Sequence, residues 1–151
     1  MQLSDVFLQL GEERLRQLVR GISIGTLRTY QLYERFKTRT HLARVNVENL
    51  RKAVPRFWER LNAHDEEFAT DLSQAILIAH LDMIQKVLDF IGVANQGGFF
   101  EKDLDAKAVL TEGWQSRAYG QFKEVYPEPL LLFYINHLGW ELGGEKQAWI
   151  S

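Results

Sequence analysis

The feature that most constrains this chain is residues 65–91, a run that stays apolar around almost the whole of a helical wheel. Phe68, Leu72, Ala75, Ala79, Met83, Val87 and Phe90 fall on one face, and Leu77, Leu81, Ile84 and Leu88 on much of the opposite one. Only a narrow strip through Asp71, Gln74, Asp82, Gln85 and Asp89 is polar, with Ile78 interrupting it. Asp65 is placed to cap the start, Glu66 and Glu67 supply acids for the first turn, and Gly92 can end the helix. One continuous helix would be about 40 Å long at ~1.5 Å per residue. A helix with so little polar face is expected to be central, wrapped by neighbours on several sides.

The remaining segments supply those neighbours. Ser4 is expected to cap a short helix over 5–10 that Gly11 ends, and Glu12 and Glu13 open a second over 12–20 with Leu15, Leu18 and Val19 inward. Thr26 caps a third, over 27–37, carrying Tyr30, Tyr33 and Phe36. Asn46 caps a helix in which Leu50, Ala53, Val54, Phe57, Trp58 and Leu61 follow the helical period, with a kink or break expected at Pro55. Residues 62–64 make a tight link into the long helix, so those two helices should pair antiparallel. Gly97 and Gly98 mark a turn, and Phe99 and Phe100 are expected to plug back onto the core. A helix over 106–125, capped by Asp103 or Asp105, should turn Val109, Leu110, Trp114, Phe122 and Val125 inward. Pro129 opens the last helix, which runs to Leu142. No alternating strand pattern, internal repeat or low-complexity segment interrupts this series. The expected fold is an all-α compact bundle in a single domain over residues 1–151. Residues 46–142 form about four core helices, and residues 1–45 form a small helical cap.

Composition narrows the chemistry. With no cysteine among 151 residues, disulfides and thiolate catalysis are excluded. No apolar run reaches the ~20 residues of a spanning helix, and residues 1–10 show no signal-peptide pattern, so no membrane association and a cytoplasmic location are expected. Charge is unevenly placed. Residues 1–60 hold 12 Lys or Arg against 6 Asp or Glu, whereas residues 61–151 hold 6 against 14. Such asymmetry suits either an anionic partner for the basic part or attraction between the two parts.

The basic segment interleaves cations with rings: Arg28, Tyr30, Tyr33, Arg35, Phe36, Lys37, Arg39, His41 and Arg44. Arg28, Arg35, Lys37, Arg39 and Arg44 are therefore candidate nucleic-acid or anion contacts, since cations neutralise phosphates and rings stack on unpaired bases. A helix-turn-helix reading around Gly21 fits poorly, because Arg16 and Arg20 would fall where the second helix must pack.

His80, His137 and Glu141 are candidate metal ligands if two helices bring them together; His137 and Glu141 are four apart and can meet on one helix. His80 lies away from the acidic strip and is expected to be buried. Asp71, Asp82 and Asp89 share a face, but are too far apart for one ion or for a carboxylate dyad. Glu101, Asp103, Asp105 and Glu112 have calcium-loop spacing without the glycine that loop requires, which favours helix capping. No nucleophile elbow or phosphate-binding glycine loop occurs, and no cofactor is expected. The leading expectation is a non-catalytic helical interaction or regulatory module, with a protein partner or self-association and Trp58, Trp114, Trp140 and Trp149 as candidate anchors. Nucleic-acid binding through residues 28–44 and a metal-dependent helical enzyme are the alternatives.

Overall fold

A computed structural model describes residues 2–20, 54–99 and 111–142. Among them are seven helices: α1 (Leu3–Leu10), α2 (Glu12–Arg20), α3 (Val54–Asn62), α4 (Glu66–Ile78), α5 (Leu81–Ile91), α6 (Trp114–Phe122) and α7 (Glu128–Glu141). The only extended pairing among the described residues is an isolated antiparallel bridge between Gln96 and Phe99. The fold is all-α, and no described helix is long and apolar enough to cross a membrane.

The chain divides into two compact units, Met1–Ala79 and His80–Ser151. That boundary falls inside the stretch expected to be one helix. Residues 65–91 form α4 and α5, separated by Ala79 and His80, and His80 leaves helical geometry at φ −129°, ψ 35°. Neither residue is a helix breaker, so intrinsic propensity does not explain the interruption. Each half packs within its own unit, α4 against α1 and α3, and α5 against α6. Packing decides the geometry where propensity is indifferent. The expected encirclement fails with continuity: Ala79 and Phe90 of the supposed inner face are exposed, and Asp71 of the supposed polar strip is buried.

In the first unit α1 packs on α2, α3 and α4. Residues 3–20 form two short N-terminal helices, as expected, and they share a core with α3 and α4. Leu15, Leu18 and Val19 are buried, as the periodicity of α2 predicts. Helix α1 begins two residues earlier than expected. Ser4 is not its cap but lies inside it and is fully buried. The Gln2 N–H donates to the Asp5 carboxylate at 2.8 Å. Glu66, from the first turn of α4, accepts from the Leu3 N–H at 2.9 Å and the Ser4 N–H at 3.1 Å. The tight α3–α4 link holds as predicted. Asp65 accepts from the Phe68 N–H at 3.1 Å and takes two bonds from the Arg60 guanidinium, whose carbon sits 4.1 Å from the Phe68 ring centroid. His64 closes the link at φ +55°, a left-handed conformation uncommon outside glycine. Pro55, where a kink or break was expected, stands second in α3; residues 46–53, over which that helix was to begin, lie outside the described residues.

In the second unit α6 packs on α5 and on α7. Gly92 ends α5 in the left-handed region, with the Val93 N–H reaching back to the Leu88 carbonyl at 2.9 Å. Gly98 presses on α5 so closely that a Cβ there would stand 3.2 Å from Ile84 Cγ2 and the Leu81 carbonyl oxygen. The turn at Gly97 and Gly98 is therefore as expected, but Phe99 does not plug the core and is 61% exposed. Helix α6 starts at Trp114 because Gly113 precedes it at φ +78°, outside helical space. Val125, expected inward, follows the end of that helix and is 61% exposed.

Among the described helices, the one buried all round along most of its length is α7, not the 65–91 stretch. Ten consecutive residues, Leu130, Leu131, Leu132, Phe133, Tyr134, Ile135, Asn136, His137, Leu138 and Gly139, are all buried. Its start is the one the sequence predicts, with Pro129 in the first turn.

Candidate functional site

Arg28, Arg35, Lys37, Arg39 and Arg44 lie outside the described residues, as do His41, the aromatics between them and the acids Glu101, Asp103 and Asp105. Among the described residues no three His, Cys, Asp or Glu side chains gather closely enough to hold a metal ion, although His80, His137 and Glu141 are all described. The three-ligand reading is corrected accordingly. Only His137 and Glu141 meet, through the one-turn spacing of α7.

That pair is nevertheless unusual. His137 Nδ1 stands 3.6 Å from Glu141 Oε2, with the histidine buried and the carboxylate at the surface. The separation is longer than a hydrogen bond, and Nδ1 has no hydrogen-bond partner. The rings of Phe133 and Trp140 flank the imidazole at 5.8 and 5.6 Å. Burial lowers the His137 pKa from 6.5 to about 4, so the ring is neutral at pH 7 and the contact is not an ion pair. One turn earlier on the same side, the Tyr134 hydroxyl is also buried without a partner. Burial, and then the charge of Glu141, push its pKa up. His80 was expected to be buried. It is half-buried at the start of α5, and partial burial lowers its pKa.

The depressed His137 pKa makes a stability prediction with a definite sign. Below pH 6.5 the unfolded chain protonates this histidine and the folded chain does not, so stability falls as pH falls from 6.5 to about 4. The full loss from this residue is about 3 kcal/mol at ~1.4 kcal/mol per pKa unit. Above pH 6.5 it contributes no slope. Urea unfolding between pH 7.5 and 4.5 should show that decline, and His137→Gln should flatten it.

A Ser–His–Asp grouping that sequence spacing cannot reveal occurs in the first unit. His64 Nδ1 lies 3.0 Å from Ser4 Oγ and 3.8 Å from Asp5 Oδ1. A relay needs the two ring nitrogens to face different partners. Here one nitrogen faces both, and Ser4 is fully buried, so the arrangement ties the α3–α4 link to α1 and is not a nucleophilic triad.

The remaining feature is apolar. Phe90, near the end of α5, is 44% exposed. It meets Phe122 of α6 edge-on at 5.6 Å, and Phe122 meets Tyr126 at 6.0 Å. Val125 stands in the turn between Phe122 and Tyr126. Polar residues border this surface: Asp82 and Lys86, two turns and one turn before Phe90, pair at 3.3 Å, and Asp89, Lys123 and Glu124 are exposed. Asp82 raises the Lys86 pKa, chiefly through that contact. Trp114 is interior and not the surface anchor expected. Trp58 and Trp140 are half-buried, and Trp149 lies outside the described residues. Compared with known proteins, the chain matches no family model, no curated protein and no solved structure.

Proposed function

We propose that the chain is a non-catalytic helical interaction module that docks a protein partner on its second unit, around Phe90 and Val125. The observation that carries this reading is the exposure of Phe90, whose ring meets Phe122 where α5 packs on α6, and of Val125, three residues beyond Phe122. Isolated exposed apolar side chains are ordinary on any surface; ones grouped around an aromatic pair with a charged border are what interfaces use. Helix α5 supplies the polar border because its buried positions, Met83, Ile84, Val87 and Leu88, leave Asp82, Lys86 and Asp89 outward.

A photo-crosslinking amino acid placed at position 125 tests the proposal in cells. The expected result is a discrete adduct, either a second copy of the chain or one other protein, that disappears when Phe90→Lys is introduced. A central aromatic anchor is worth about 2 kcal/mol or more, roughly a thirtyfold loss of affinity. Phe90→Lys should leave the helical content unchanged, because the side chain is half in water already. No adduct, or one indifferent to Phe90→Lys, refutes the reading.

A further inference from the structure

We propose that the end of the α6–α7 hairpin distant from its turn holds a small neutral molecule, which presents a carbonyl or carboxamide oxygen to the buried side chains of Trp114, Tyr134 and His137. Helices α6 and α7 pack together and are joined by residues 123–127. A connection that short makes an antiparallel pair. Trp114 opens α6 and His137 lies nine residues into α7. At ~1.5 Å per residue both stand roughly 12–14 Å from the turn, and therefore at one level of the hairpin. Tyr134 precedes His137 by three residues and shares its side of α7.

Trp114 and Tyr134 are each 2% exposed and His137 is 8% exposed. All three carry a polar atom with no hydrogen-bond partner: Trp114 Nε1, Tyr134 Oη and His137 Nδ1. Folded interiors pair nearly all such atoms. Four such atoms lie in this hairpin: Tyr126 Oη is in the turn, and the other three belong to its far end, where α7 is otherwise so apolar that they mark a place a ligand completes.

The chemistry of the three groups selects the ligand. An indole N–H only donates, so the ligand must accept. A tyrosine hydroxyl can donate to the same oxygen or accept from an amide N–H beside it. The Glu141 carboxylate, 3.6 Å from His137 Nδ1, favours the proton on that nitrogen and repels a second anion. A cation would have to shed its water in an interior whose other groups are neutral. That leaves a neutral acceptor, and the rings of Phe133 and Trp140 beside the imidazole favour a planar one.

Benzamide is the probe, added to the full chain with its four histidines isotopically labelled. The His137 ring signals are identified by their loss in His137→Gln. The expected result is a saturable shift of those signals by benzamide, no shift of the exposed His64, and no response to benzoate. Tyr134→Phe should weaken benzamide binding about tenfold, the value of one hydrogen bond to a buried group, without lowering the melting temperature. Trp114→Phe is the second variant and should weaken binding similarly. Three outcomes overturn the proposal: no saturable shift up to the solubility limit of benzamide, equal response to benzoate, or binding undiminished in both variants.

Discussion

Phe133→Ala is expected to destabilise the protein by about 3–5 kcal/mol, the range for a fully buried phenylalanine cut to alanine. Phe133 has no exposed surface and sits midway along α7, where residues on either side in sequence are buried too. The cavity therefore opens where no neighbouring side chain can swing in from solvent, so the site relaxes little. Since whole domains are stable by only about 5–15 kcal/mol, the variant should unfold at much lower urea. Phe90→Ala is the control. It removes the same ring from a half-exposed position and should cost less than about a third as much. Equal losses for the two variants would contradict the enclosed position of α7.

Glu66→Ala should cost about 3 kcal/mol, although the residue looks like an ordinary first-turn acid. Its carboxylate accepts from two backbone N–H groups of α1 while standing in the first turn of α4. It therefore faces the positive ends of two helices at once. A hydrogen bond to a charged group contributes about 1.5–3 kcal/mol, and buried amides left without an acceptor add their own penalty. Glu66→Gln keeps one good acceptor oxygen and should recover part of the loss. Thermal and urea unfolding at pH 7 measure both variants. A cost below about 1 kcal/mol for Glu66→Ala would show that water replaces the carboxylate freely.

These two residues also show what the sequence could and could not reveal. Helix class, the cap at Asp65, the stop at Gly92 and the inward face of α2 were legible, because each depends on residues within one or two turns. The Glu66 clasp was not: its partners lie 63 and 62 residues away, and no spacing rule joins them. The interruption at Ala79 and His80 was equally hidden, since neither residue carries a breaking signal and the cause is the packing of each half in its own unit. Reading 65–91 as the centre followed from its apolar circumference as one continuous helix, whereas α7 is buried all round although it carries Asn136 and His137. Asn136 donates to the Leu132 carbonyl at 2.8 Å within the helix, which lets it be buried. The contact between His137 and Glu141 was visible as a one-turn pair. The roles of Tyr134 and Trp114 were not, because an unpaired polar atom is defined by its surroundings and not by its place in the chain.

Helix α7 is the last described helix to leave the ribosome. With residues 130–139 buried all round, it has no side that water tolerates well, and α6, on which it packs, is made before it. The order of synthesis protects the chain by providing that receptor in advance. A fragment that kept α7 and lost the earlier helices would carry a sticky rod with nothing to receive it.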